Sequence, residues 1–357
     1  MATTQQPHVR CPLSTRDLLR AFMFASIPTA GVGLWNLGHQ TLSAAHGLNI
    51  DATASWPGNL IQILGITPAP DAILPCTLYG LLRVLPLLIT VLAVAYGWER
   101  IIAKLRKRAM DPSWYMTAWL LVLLLPPATP VLLAAIAASF AAVVGTHIFG
   151  GTGRYLVSPA LLGVLFLHFS YPGFVAAALP LPDVELATSW SQAAMQGPDA
   201  LSLGATMLGA ELGAVGTTSA AACLLGLVYL IRIGAASART VLGAFAGLLL
   251  TATLMQLADS NDPAWQLPWY WHLALGNFVF ATVFLATDPT CMPLTIGGRW
   301  LYGILFGALA VLLRVADPTH PEGSLFALLL AGLAVPLLDH LVLRATILRT
   351  SKRRLAA

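Results

Sequence analysis

Apolar stretches of about twenty residues recur from near the start of the chain to its end, each long enough to cross a hydrocarbon layer of ~30 Å as a helix. The 357 residues are 57% hydrophobic and only 10% charged, with a mean hydropathy of +0.77. A soluble chain carries about 25% charged residues. The expected fold class is therefore all-α, a polytopic membrane protein whose helices pack on lipid and on one another. A net charge of +4 gives no reason to expect a nucleic-acid partner. Cys11, Cys76, Cys223 and Cys291 are far apart and form no CxxC, so neither a disulfide framework nor a metal site is indicated.

One interruption of this pattern carries most of the functional information. Phe284–Trp300 reads FLATDPTCMPLTIGGRW, between the apolar runs Leu273–Leu285 and Trp300–Leu313. Pro289 and Pro293 lack a backbone N–H and cannot continue the preceding helix. The carbonyls freed by such a break are tolerated at membrane depth only where the backbone is buried in protein or lines a polar cavity. Asp288 sits at the break, and an ionisable group there is a functional hypothesis by default. The same Asp-Pro pair is also an ordinary helix N-cap with proline at the first helical position.

Ten spans are expected, at about 17–42, 76–105, 115–125, 131–149, 159–178, 217–233, 240–257, 271–287, 300–316 and 325–348. The first is read as a retained helix, being longer than a signal-peptide core. A short interfacial helix is expected near Trp56–Leu64, a kink at Pro172, and an aromatic belt at Trp265, Trp269, Tyr270 and Trp271. With the N-terminus cytoplasmic, every Lys and Arg except Arg83 and Arg314 falls in a cytoplasmic segment. The positive-inside rule thus supports both the count and the orientation, with both termini cytoplasmic. Ten spans divide as five plus five, and an odd number inverts the second half. Pro126–Pro130 follows the third span and Pro289–Pro293 the eighth, so the breaks occupy corresponding places. Paired broken helices in inverted repeats point to a site near the midplane. The expected layout is a cytoplasmic tail at 1–16, a first five-helix repeat at 17–178, an outer (periplasmic) loop at 179–212, a second repeat at 213–348 and a basic cytoplasmic tail at 349–357.

Glu99, Glu211, Asp288 and Asp339 lie within or at the ends of spans. Their carboxylates suit a hard cation such as Na⁺ or a proton relay. The structural alternative is that Glu99 and Asp339 pair at the interface with Arg100 or Arg344. Gly150-Gly151-Thr152-Gly153-Arg154 resembles a phosphate-cradling loop only superficially, since no strand precedes it, and a tight turn is the expected role. The eight histidines show no i, i+4 pairing, which argues against a di-haem cytochrome.

Taken together, these motifs resemble the NqrB family, the B-type membrane subunits of the bacterial sodium-translocating NADH:quinone reductases, with the RnfD subunits of the Rnf electron-transport complexes as the sister possibility. The resemblance runs through Pro7-His8-Val9-Arg10, Trp35-Asn36-Leu37-Gly38, LPLLITVLAVAYGWE, IFGGTGRYLVSPALLG, Tyr171-Pro172, FATVFLATDP, GGRWLYG, and Pro321-Glu322-Gly323 through PLLDH. It implies a multi-pass component of a bacterial inner-membrane translocase that carries electrons from NADH through flavins to ubiquinone. The partners it implies are other membrane, flavin and iron–sulfur subunits, quinone, and a flavin transferase for maturation. The acids matching Glu99, Asp288 and Asp339 form the implied cation pathway. Tyr96, Gly97 and Trp98 are the implied quinone-site candidates. FMN would be esterified through its phosphate to Thr188, with riboflavin a further cofactor. Ala187-Thr188 and Ser191-Gln192 fit the flavin-attachment motif, and Glu185-Leu186 depart from it. Other departures are Ala95-Tyr96 in place of paired glycines, Thr146-His147 where an acidic residue usually precedes FGGTG, and Thr217 where a glutamate is usual. They suggest a divergent member. A flavin-free channel or carrier on the same inverted-repeat scaffold, and a purely structural membrane anchor, are the alternatives from other classes.

Overall fold

The computed structural model describes residues 14–48, 55–67, 69–70, 72–172, 193, 201–210, 213–258, 263–317 and 322–356, with side chains described through Ser351. Among these residues every regular element is a helix. Six helices are long and apolar enough to cross a membrane, and three shorter apolar helices accompany them.

The first long helix, α1 (Thr15–Gly47), begins in a capping box: Ser14 accepts from the Asp17 N–H, and the Asp17 carboxylate accepts from the Ser14 N–H. A short helix, α2 (Trp56–Ile63), stands where the interfacial segment was expected, capped by Ser55. The next helix, α3 (Ile73–Leu105), has 33 residues, about 50 Å at 1.5 Å per residue. That exceeds the apolar layer, so its basic last turns stand clear of it. Helix α4 (Ser113–Leu124) is only 12 residues long. The chain then runs extended from Leu125, turns within the proline-rich break, and enters α5 (Val131–Phe140). The break leaves carbonyls at the end of α4 without helical partners, and Gly216 N–H donates to Leu123 O at 2.7 Å to satisfy one.

Helix α5 does not end at Phe140. It widens into a π-helix, Ala141–Ile148, that stops at Gly150 and Gly151, whose φ of 106° and 101° only glycine adopts without strain. Helix α6 (Pro159–Ser170) follows. In the second half come α7 (Leu203–Leu208), α8 (Ala220–Ile233) and α9 (Ala238–Leu257). Then α10 (Trp269–Ala274) and α11 (Phe278–Phe280) are separated by a break at Gly276, and α11 widens into a second π-helix, Ala281–Ala286. After the Thr287–Leu294 segment, α12 (Ile296–Ala316) starts at the N-cap Thr295. The last helix, α13 (Gly323–Ala356), has 34 residues.

Helix α6 stops at Ser170, with Tyr171 in a non-helical conformation, because the residue before a proline is pushed away from helical ψ. The remainder of the expected fifth span, 173–178, lies outside the described residues. One expectation about span ends is corrected. The eighth span is two pieces rather than one, since Gly276 (φ 73°) takes a left-handed conformation that ends α10.

Helix α1 packs on both α3 and α8, α3 continues onto α4 and α5, and α12 packs between α9 and α13 in a second layer. All residues from Phe278 to Ala286 are buried, which places the second π-helix at the centre. Close approach rests on glycine at the α9–α12 crossing, where a Cβ on Gly307 would fall 2.0 Å from Ala244 O and one on Gly247 2.2 Å from Ile304 O.

Candidate functional site

The fold gathers Glu99, Asp288 and Asp339 toward one end of the bundle, the end that also carries Arg106, Arg108 and Arg299. Each acid is held differently.

Glu99 lies in the last third of α3 and is buried at 2% exposure. A charge so placed needs partners. Its Oε1 accepts from the Asp111 backbone N–H at 2.8 Å and from Arg108 Nη2 at 3.3 Å, and its Oε2 faces His147 Nε2 at 3.3 Å. The partner is Arg108, from the loop after α3. Arg100, the neighbour in sequence, instead donates to the Tyr96 hydroxyl at 3.3 Å. His147 comes from the first π-helix, its carbonyl accepts from Arg106 Nη2 at 2.9 Å, and its Nδ1 faces Arg108 Nη2 at 3.4 Å.

Asp111 extends this cluster to the glycine-rich turn. Its carboxylate accepts from the Thr152 N–H at 3.2 Å, the Thr152 hydroxyl and the Ser113 N–H at 3.1 Å. Thr152 Oγ1, its own proton committed to Asp111, accepts from the Ser113 hydroxyl at 2.8 Å. Burial alone would raise the Asp111 pKa, but these hydrogen bonds, with those from Thr152 foremost, outweigh it and hold the carboxyl below its usual range. The GGTGR segment is thus a tight turn, as its residue types suggest, and its role is to bring Thr152 and Tyr155 into the site.

Asp288 follows the second π-helix and is 5% exposed. Its Oδ1 accepts from the Thr290 N–H at 2.9 Å and the Thr290 hydroxyl at 2.6 Å, the local pattern of an Asx turn. Its backbone carbonyl caps the turn by accepting from the Cys291 and Met292 N–H groups. Tyr155 lies beside Thr290, and Tyr155 and Tyr302 are both within electrostatic reach of the Asp288 carboxylate.

Asp339, on α13, clamps the far end of the same break. Its two oxygens accept from the Leu294 N–H at 2.8 Å, the Thr295 N–H at 3.0 Å and the Thr295 hydroxyl at 2.5 Å. Arg344 is not its hydrogen-bonding partner. Thr295 in turn caps α12 through the Gly298 N–H at 3.0 Å.

Two small cavities lie beside these acids. One, between α3, α4 and the first π-helix, is lined by Val91, Ala95, Glu99, Trp114 and His147 together with Ser113 and Thr117. The other is lined by Tyr155, Ser158 and Asp288, again with Ser113 and Thr117. Tyr96, Gly97 and Trp98 line neither. Tyr96 is 39% exposed and packs edge-on against Trp114. Thr188 lies outside the described residues, as does Glu211. Among the described residues no cluster of three or more His, Cys, Asp or Glu side chains is arranged to hold a metal ion.

His147, Arg108, Asp111 and Thr152 were not picked out as site residues by their sequence. The one available signal was Thr146-His147 in place of an acid before FGGTG, which flagged the position without showing that it faces Glu99. Nor was the π-helical winding foreseen. It brings Thr146-His147 and Thr287-Asp288 to the ends of the two π-helices, and π-helical turns concentrate at functional sites.

A sequence profile for the NQR2, RnfD, RnfE family matches residues 2–347 of this chain. The chain belongs to the NQR2, RnfD, RnfE family. Among curated members, the B subunit of a Na(+)-translocating NADH-quinone reductase from Klebsiella pneumoniae (strain 342) is 36% identical over 367 positions, spanning 97% of this chain and 89% of that protein. A protein of the same name from Azotobacter vinelandii is 34% identical over 365 positions, spanning 99% and 89%. One from Pseudomonas aeruginosa (strain LESB58) matches to the same extent. Membership of the NQR2, RnfD, RnfE family bears out the resemblance drawn from the motifs, and these relatives carry the name of the sodium-translocating reductase.

Proposed function

We propose that this chain is the B subunit of a redox-driven cation pump, a membrane translocase that passes electrons from NADH through flavin to ubiquinone and couples them to Na⁺ (or H⁺) movement. The observation that carries the proposal is the match to the B subunits of Na(+)-translocating NADH-quinone reductases over nearly all of both chains. The buried acids at the basic end are consistent with cation handling: Asp288 sits in a broken helix at a cavity, the position at which transporters of this build hold their ions. In this reading both termini and the basic end are cytoplasmic in a bacterial inner membrane, and residues 17–178 and 213–348 are two inverted repeats.

The proposal assigns Asp288 to the cation pathway as a carboxylate that meets the ion. Asp339 acts beside it by fixing the break, and Glu99 by holding the neighbouring cluster. Quinone would approach α3 near Tyr96, Gly97 and Trp98, where Tyr96 and Trp114 offer an aromatic surface. FMN would be carried on Thr188 in the outer segment after attachment by a flavin transferase, with riboflavin elsewhere in the complex. The run Ala187-Thr188 and Ser191-Gln192 supports that assignment. The other membrane, flavin and iron–sulfur subunits of the complex would be its partners.

The experiment is to purify the assembled complex through a tag on this chain and measure NADH:ubiquinone reduction with and without Na⁺. Stimulation by Na⁺ is expected, and a complex without NADH-driven quinone reduction would refute the reading. Ultraviolet fluorescence of the denatured chain, lost in Thr188→Ala, tests the covalent flavin separately.

A further inference from the structure

Helix α12 has 21 residues, about 31 Å at 1.5 Å per residue, which matches a hydrocarbon layer of ~30 Å. Its start is held by Asp339 of α13, which accepts from the Thr295 N–H at 3.0 Å and the Thr295 hydroxyl at 2.5 Å. Asp339 therefore marks the edge of the layer on α13, at the basic end. The helix continues from His340 to Ala356, about 25 Å further. Headgroups occupy about 5–8 Å of that length. We propose that this projecting end of α13 is a docking surface for a cytoplasmic subunit of the same complex, one that offers an apolar groove edged with carboxylates. The proposal rests on the reading of this chain as one subunit of a translocase and adds which of its faces receives a partner.

Val342, which lies beside Gly297 at the start of α12, is half-buried. From Leu343 to Ser351 every residue is exposed. Three of them are large and apolar: Leu343 at 52%, Ile347 at 67% and Leu348 at 57% exposure. Ile347 follows Leu343 by one helical turn and Leu348 stands next to it, so the three form one apolar flank. Thr346, Arg349 and Thr350 lie on the other flank. The Thr346 hydroxyl donates to Val342 O at 2.8 Å and the Thr350 hydroxyl to Thr346 O at 2.9 Å. Both threonines are thus satisfied within the helix, and Arg349 is the group on that flank that offers a charge to a partner.

Lipid does not cover this flank. Ile347 and Leu348 stand about 12 Å past Asp339, beyond the headgroups, and a helix that prolongs its own span leads away from the bilayer. Apolar side chains grouped on a polar-edged surface in water mark a protein contact. Charge then selects the kind of partner. Arg344, Arg349, Lys352, Arg353 and Arg354 all follow Asp339, and no acid does. A second copy of this chain would bring like charges together, which is costly across an interface, whereas an acidic rim complements them and speeds encounter.

The test places the photo-crosslinking residue p-benzoylphenylalanine at Leu348 or, in a second variant, at Thr346, and irradiates the purified complex. The two positions are roughly 200° apart around the helix. Leu348 is expected to give an adduct with one other subunit, identified by mass spectrometry, and Thr346 at most about a tenth as much. Adducts of Leu348 only with phospholipid, or only with a second copy of this chain, overturn the proposal, as do equal yields from both positions. Ile347→Ser combined with Arg349→Glu alters only exposed side chains, so the helices pack as before. It is expected to raise the dissociation constant of the same subunit by at least about tenfold, the scale on which an interface anchor and a charge pair contribute, read by mass photometry on dilution. Wild-type affinity in that variant overturns the docking surface. A complex with Na⁺-stimulated quinone reduction but no Leu348 adduct overturns the surface and leaves the pump reading in place, whereas a wild-type chain that purifies with no other subunit overturns both.

Discussion

The Asp339 carboxylate on α13 and the Thr295 hydroxyl at the start of α12 are 2.5 Å apart, and the same carboxylate accepts from two backbone N–H groups of the break. One side chain therefore fixes where the helix after the break begins. Asp288, at the other end of the same interruption, is held separately by the Thr290 N–H and hydroxyl.

Replacing Asp339 with alanine removes the acceptor of three donors in a partly solvated place. The expected loss is about 1–2 kcal/mol, the range for a helix cap plus a lost charge-assisted hydrogen bond. Asp339→Asn keeps an acceptor and should lose less. Thermal unfolding of the detergent-solubilised complex would show this order, and equal melting temperatures for Asp339→Ala and wild type would remove the capping role.

Asp288→Asn should raise the Na⁺ concentration for half-maximal stimulation of quinone reduction by about tenfold or more, the equivalent of about 1.4 kcal/mol of lost binding. Electron entry from NADH to an artificial acceptor should be unaffected. Steady-state titration with Na⁺ separates the two, and an unchanged Na⁺ curve would count against Asp288 as a ligand.

The Asp111–Thr152 contact predicts an acid limb in stability. Hydrogen bonds hold the folded Asp111 pKa below its unfolded value despite burial. The resulting stabilisation is complete above the unfolded pKa of about 3.9 and is lost as pH falls through the lower folded value. Melting temperatures taken from about pH 6 down to about pH 3 should fall less steeply in Asp111→Asn than in wild type. The variant should start from a lower value at neutral pH, and parallel curves would show that Asp111 contributes nothing to the limb.

Gly307→Leu should block assembly, because even a Cβ would overlap Ala244 O, and overpacking of this kind costs about 1–3 kcal/mol or more. Gly31→Leu is the control on a face with nothing within 4 Å. Yield of intact complex on size-exclusion chromatography distinguishes them.

How much of this was legible in the residues follows the range of the forces involved. Hydropathy placed the spans, because partition into lipid is a sum over about twenty residues and tolerates local errors. The prolines located both breaks, because a missing N–H acts on its own turn. The break at Gly276 was missed, since the exact residue at which a helix stops depends on local backbone angles that a hydropathy average does not resolve. The motif resemblance reached Glu99, Asp288 and Asp339 as a set, but their roles were not readable.

The sequence by itself determined that this chain is a polytopic membrane protein, where its helices break, and which family it resembles, because composition, proline chemistry and motif order are properties of the linear chain. Only the tertiary structure decided that Glu99 meets Arg108 and His147 rather than Arg100, that Asp339 caps α12, and that Ser113 and Thr117 line both cavities. A hydrogen bond acts over about 3 Å. The partners it joins are brought within that distance only when helices far apart in the chain have packed.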